Sequence, residues 1–298
     1  MSTDNSHVTP PVGHAAHDRA TLDIAGSRPP LGFWVETVRQ FSRRRTKVGL
    51  GIVVIVPVLL AIAFKVGNGP GGERGGPDLG ALATMGGFNF ALFSLLSATG
   101  LLLVVVVALF AGDTVASEAS WGSLRYLLAM PIPRGRLLRQ KFYVALAYGA
   151  LACALLPLVA LAAGSLLFGW HGIHTLSGET LPIGESIKGL AACSAYIAFV
   201  MLLVASVAFM LSTFTDSPLG AVGGAVGIVI ISNIFNAVPA LASARNLLPT
   251  HYFFSWIDLL LSPPIYTNIY RGILTTLVYS TVFLIIGFLK FRSKDITS

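Results

Sequence analysis

Charge is scarce in this chain. Lys and Arg number 20 and Asp and Glu 13 among 298 residues, 11% charged in total, against about 25% in soluble globular domains. With 54% hydrophobic residues and a mean hydropathy of +0.77, the chain belongs in the membrane class. Cysteine is almost missing as well. Cys153 and Cys193 each fall inside an apolar run, which excludes an extracellular disulfide framework and leaves two small packing residues. There is no G-x-x-x-x-G-K-[ST] phosphate loop; the Gly-rich stretch GNGPGGERGG has no Lys followed by Ser or Thr, so ATP chemistry is not expected here. His171, His174 and His251 match no catalytic motif, and no His or carboxylate cluster falls near the middle of a span. The chain is therefore read as no enzyme by itself and as carrying no cofactor or metal.

Residues 1–30 are polar and contain no apolar stretch of the kind a signal peptide needs. They are read as a disordered tail, in which His7, His14 and His17 match no metal-site spacing. An amphipathic helix is expected over residues 31–45, because Leu31, Trp34, Val35, Val38 and Phe41 recur on one stripe while Arg39, Arg43 and Arg44 lie off it. Such a basic helix suits the membrane interface, with lipid as one of its partners.

A span needs about 20 apolar residues. Six are expected, over residues 48–66, 88–111, 142–168, 189–211, 219–238 and 272–291. Pro57 and Pro157 fall inside two of them, as neighbouring helices in a membrane permit. Fifteen of the 20 cations collect on one side: in the tail and first helix, between the second and third spans, and at the C-terminus. The positive-inside rule then puts both termini and residues 113–141 in the cytoplasm. The +7 net charge is thus explained by topology and not by nucleic acid. On the far side, residues 67–87 form a Gly-rich loop. Residues 239–271 are apolar and aromatic, but Pro239, Pro249, Pro263 and Pro264 cut them into pieces too short to span. A re-entrant or interfacial hairpin is expected, with Tyr252, Trp256 and Tyr266 suited to the aromatic belt.

The stretch ASEASWGSLRYLLAMPIPRGRLLRQK, residues 116–141, holds five of the cations between two long apolar runs. Asp113 and Thr114 can cap a helix leaving the membrane. Trp121, Leu124 and Leu128 then give one apolar ridge, and Pro131 and Pro133 end it. A ridge with charged flanks fits the groove of a partner protein. Glu118 and Arg125 lie on that flank and are expected to position the segment on the partner.

The order Glu118, three residues, Gly122-Ser123-Leu124-Arg125, the pair Leu127-Leu128, Pro131, Arg134, Arg139 and Lys141 resembles the signature of ABC transporter permeases of the ABC-2 type exporter family. Ser123 stands where that family usually has Thr. The resemblance implies an all-α integral membrane protein of six transmembrane helices. To these it adds an N-terminal elbow helix (31–47), a cytoplasmic coupling helix (113–141) and an extracellular re-entrant hairpin (239–271), within one permease domain over 31–298. It implies docking on a separate ABC ATPase subunit, which holds ATP and Mg, and pairing with a second copy or a related permease in the cell membrane. The coupling residues would be Glu118, Trp121, Gly122, Leu124, Arg125, Leu128, Pro131, Arg134, Arg139 and Lys141. Asn89, Phe90, Phe93 and Ser97, with Gly220, Gly224, Asn233 and Asn236, would line the path or the dimer interface. Gly220–Gly224 and Gly223–Gly227 have small-xxx-small spacing. Two alternatives are a mechanotransmitter that passes ATPase work to a partner and an ATP-independent carrier.

Overall fold

The computed structural model describes residues 33–67, 79–120, 134–175, 178–261 and 263–292, with side chains from Glu36 onward and excepting Ala119 and Arg134. Among these residues the chain is helical, with only an isolated bridge between His174 and Thr180. The helices are α1 (Phe33–Ser42), α2 (Arg44–Val66), α3 (Leu79–Ala83), α4 (Gly87–Thr99), α5 (Leu102–Ser120), α6 (Arg134–Phe168), α7 (Ile183–Phe214), α8 (Pro218–Asn236) and α9 (Thr267–Arg292), with two 3-10 segments, Pro239–Leu247 and Ser255–Leu260, before the last.

Five helices (α2, α6, α7, α8 and α9) are long and apolar enough to cross a membrane, and α4 with α5 makes a sixth if the bent pair is one span. The protein is membrane-embedded and multi-pass. The second expected span is therefore not one straight helix. It breaks at Gly100 and Leu101, bends by 57°, and runs on to Ser120. Asp113 and Thr114 consequently lie inside α5 and do not cap it. Pro57 and Pro157 stay within continuous helices.

α7 is the central post. Of its apolar window 67% is buried, against 22% for α2, α8 and α9, and it packs against α5, α6, α8 and α9. Cys193 on α7 and Cys153 on α6 are both buried free thiols. The outer helices leave Ile55, Leu59, Leu158, Ile234 and Leu274 exposed, apolar surface that a lipid solvent accepts and water would not.

α4 and α6 approach closely because two glycines meet. A methyl group on Gly164 would lie 2.8 Å from Phe90 Cβ, and one on Gly87 would lie 2.8 Å from the backbone nitrogen of Ser165. Small residues allow this backbone approach where no hydrophobic drive separates helix from lipid.

The loop between the first two spans contains the short helix α3, which composition alone did not reveal. The stretch before α9 is not a belt of exposed aromatics either. Tyr252 and Trp256 are buried, with Phe253, while Phe254 and Tyr266 face outward. Hydrogen bonds explain the difference: Tyr196 Oη on α7 donates to Tyr252 O at 2.9 Å, Ser232 on α8 meets Thr250 at 2.8 Å, and Tyr279 Oη on α9 donates to Leu247 O at 2.6 Å. Three helices thus hold this segment down by its polar groups, and its rings follow inward. Ala242, at φ 41°, marks the kink inside the first 3-10 segment, in a region that L-residues enter at a cost.

Two outcomes follow from this packing. Gly164→Val is expected to cost about 1–3 kcal/mol or more through overpacking, whereas Gly223→Ala, where nothing lies within 4 Å, stays within about 1 kcal/mol of the parent; thermal unfolding in detergent measures both. His251 binds Asn236 Oδ1 through Nδ1 at 2.6 Å, and burial, then the nearby Arg245, holds its imidazole below the usual value of 6.5. The unfolded chain therefore takes up this proton at higher pH than the folded one. The stability tied to the neutral ring is complete above about 6.5 and is lost as pH falls through the lower folded value. His251→Gln should flatten the fall in melting temperature between pH 7.5 and 5.5.

Candidate functional site: a buried ionic cluster joining α1, α5 and α6

α1 turns its polar side toward the bundle. Glu36 and Gln40 are buried while Val38 and Phe41 are exposed, the reverse of a helix on a water-soluble domain. Arg43, with extended backbone, makes the corner from which α2 starts. The expected amphipathic stripe is therefore present at Val38 and Phe41, and it points away from the protein.

The buried acids find their partners across three elements. Lys141 on α6 places Nζ 2.5 Å from Glu118 Oε1 on α5 and 3.2 Å from Glu36 Oε1 on α1. Arg39 Nη2 spans the same two carboxylates at 2.5 and 3.2 Å. One turn and a half back along α5, Asp113 accepts from Arg43 at 2.8 Å and from Arg45 at 2.5 Å. Arg43 also donates to Ser117 Oγ at 3.0 Å. Tyr148 Oη on α6 donates to Thr37 O at 2.8 Å, a further tie between α6 and α1. Carboxylates this deep cost several kcal/mol each to desolvate, and that cost is offset only when the cations are held in place.

Glu118 and Lys141 are the first and last residues of the motif read from the sequence. Their contact closes the chain between them into a loop pinned at its base. Trp121, Gly122, Leu124, Arg125, Leu128 and Pro131 lie outside the described residues, as does the side chain of Arg134. Arg139 is exposed on α6. Glu118 was expected on the outer, charged flank; it is 5% exposed and serves the inside of the fold. Glu36, Asp113 and Arg43 were not singled out as site residues. The signal that could have found Glu36 is a lone acid in the cation-rich stretch that runs to Lys47, next to a span.

The second set of residues separates. Phe90 is fully buried and packs on Phe64 and Phe168, within the core. Asn89 clamps a loop: its Nδ2 donates to His174 O at 2.9 Å and its Oδ1 accepts from His174 N at 2.8 Å. Phe93 stands edge-on to Phe64, and Ser97, exposed, bonds back to Phe93 O. On α8, Gly220 and Gly224 are exposed, Asn233 is half-buried, and Asn236 is taken by His251. A methyl on Gly223 or Gly227 would meet nothing within 4 Å among the described residues, while one on Gly224 would lie 2.9 Å from Leu211. Among the described residues no group of three or more His, Cys, Asp or Glu could hold a metal.

Lys141→Ala leaves two buried carboxylates with one fewer cation and is expected to cost about 3–5 kcal/mol. Arg45→Ala removes a half-exposed partner and should cost about 0–1 kcal/mol. Unfolding in detergent with Lys141→Ala, Glu118→Gln and the double variant gives the coupling, expected to be clearly non-additive.

The match to proteins already known covers most of this architecture. Over 213 residues the chain is 27% identical to the uncharacterized protein YhcI of Bacillus subtilis (strain 168), a stretch that takes in 67% of this chain and 65% of the relative. The relative is thus covered over less than two thirds of its length. A family model described as a protein of unknown function (DUF2705) matches residues 80–297, from α3 through the whole of α9, including both arms of the ionic cluster on α5 and α6. The chain belongs to the DUF2705 family.

Proposed function

We propose that the chain is the membrane permease subunit of an ATP-driven exporter of the ABC-2 type, driven by a separate ATPase subunit. The observation that carries the reading is the Glu118–Lys141 contact. A segment that delivers force from a motor into a bilayer must be anchored at both ends to something stiff. Here both ends are anchored to each other and to α1, and beyond them lie α5 and the 35-residue α6. Displacement of residues 121–133 would move these helices together, a switch between packed states.

In this reading residues 31–47 form the elbow, 113–141 the coupling region and 239–271 the outer hairpin. Both termini lie in the cytoplasm and the chain sits in the cell membrane. The outward Val38 and Phe41 of α1 rest in lipid, and the exposed Arg44, Arg45 and Lys47 face headgroups. A second copy or a related permease pairs along α8, where Gly223 and Gly227 leave a close-approach surface. Trp121, Leu124 and Leu128 supply the apolar ridge for the ATPase, and Arg125 the charged contact. ATP and Mg reside on the partner.

Purification of the tagged full-length chain from its own membranes is expected to bring an ATPase with it. Arg125→Glu and Leu124→Asp should abolish that association while the chain still inserts. Normal substrate-stimulated hydrolysis with both variants, or no ATPase in the parent preparation, overturns the proposal.

A further inference from the structure

At the end of the bundle opposite the ionic cluster, α3, the first turns of α4, the 173–175 turn and the second 3-10 segment enclose a cavity of about 780 Å³. Leu92, Phe93 and Leu96 of α4 form one wall, and Trp256 and Leu260 the other. Leu79, Leu261 and Ile265, also part of the lining, are exposed. We propose that this cavity is a binding site for a long acyl chain. The proposal needs no ATPase partner; it rests on the cavity and on the protein being in a membrane.

Volume, lining and position support the choice of occupant. Protein interiors hold few voids larger than a water molecule, and this one falls within the roughly 300–1,000 Å³ of ligand pockets. Its walls are aliphatic and aromatic, so water entering would lose hydrogen bonds, while an empty space would forfeit dispersion contacts on every side. The aliphatic residues at its edge are exposed on a protein embedded in a membrane, which makes a hydrocarbon chain the most abundant filler at hand.

The polar groups at the cavity say what is not selected. Both ends of the Asn89 amide are spent on the His174 backbone. His174 Nδ1 is engaged by Thr180 Oγ1 at 2.9 Å, and Thr175 Oγ1 donates to Glu179 O at 3.0 Å. Trp256 Nε1 is a buried donor without a hydrogen-bond partner among the described residues; a single N–H meets a carboxylate or an ester oxygen equally, so the site reads the hydrocarbon and discriminates little between headgroups. The occupant is therefore the chain of a bilayer phospholipid or of another amphiphile, the hydrocarbon being common to both.

The chain just before the second 3-10 segment also meets the bend of the α4–α5 pair. The ring of Phe254, one residue before the 3-10 segment, would be 3.4 Å from a methyl on Gly100. A chain between α4 and that segment thus sits on the same structural unit that sets the bend.

The test uses the full chain in detergent with a palmitate carrying a diazirine near its methyl end. Irradiation should label α4 and residues 255–261, and unlabelled oleate and a palmitoyl-oleoyl phosphatidylglycerol should compete equally. Leu96→Trp and Leu260→Trp, which fill the space from opposite walls, should each reduce labelling about tenfold, the effect of excluding roughly two methylenes. Leu166→Trp, at an exposed position of α6 away from the cavity, should leave it unchanged. Native mass spectrometry separates the sources: a retained phospholipid lost in both cavity variants identifies bilayer lipid, and oleate competition without a retained phospholipid identifies an exchangeable amphiphile. Either outcome upholds the site. Labelling spread over all exposed helix faces overturns it, as does labelling that neither Trp variant nor oleate reduces. If both variants fail to fold, the oleate competition on the parent chain decides alone.

Discussion

Lys141 holds two carboxylates in a place where an unpaired charge would cost several kcal/mol to desolvate. Glu36, Glu118 and Lys141 are all under 10% exposed, so each charge is tolerable only because the others are fixed beside it. That requirement ties α1, α5 and α6 into a single body at one end of the bundle. The rest of that end follows from it. α1 cannot roll its apolar side inward without removing Glu36 and Arg39 from the cluster, and α2 must begin at the corner that Arg43 makes while it reaches Asp113. The outward apolar stripe of α1 is the consequence.

The opposite end is organised by hydrogen bonds between neutral groups, most of them to backbone, instead of by charges. Tyr196, Tyr279 and Ser232 reach from three long helices to the segment before α9, and Asn89 does the same for the turn at His174. Irregular backbone near a membrane survives only where protein satisfies its polar groups, and these side chains do so. The two ends are joined by the broken α4–α5 pair, whose one arm lines the apolar cavity and whose other arm carries Asp113, Ser117 and Glu118. Neighbouring helices of similar length are continuous, proline included, so the break at Gly100 and Leu101 is a distinct feature of this pair. A bend there relates the hydrocarbon-facing end to the charged end without any direct contact between them.

Glycine shows the same division of labour at finer scale. Gly87 and Gly164 are needed because two backbones meet where no Cβ fits. The glycines of α8 divide: Gly224 faces Leu211, while Gly223 and Gly227 face nothing among the described residues. One spacing rule, small-xxx-small, thus covers an internal contact and, among the described residues, an open face on the same helix. Only the packing of neighbours tells them apart.

Hydropathy and the run lengths alone determined that this is a multi-pass helical membrane protein, because a span needs a continuous apolar stretch whatever its neighbours are. The alternation of Val38 and Phe41 with arginines likewise determined an amphipathic α1, since periodicity is local. The tertiary structure decided which side of α1 faces in, that Glu118 is an internal residue paired with Lys141, that Phe90 is core, that Asn89 is a clamp, and that Tyr252 and Trp256 are buried. It also decided the 57° bend in what reads as a single apolar run. Each of these depends on a partner far away in the chain: 23 residues for Glu118 with Lys141, 85 for Asn89 with His174, and 105 for Glu36 with Lys141. A local pattern records what a residue needs from its surroundings; which distant group meets that need is set when the helices pack.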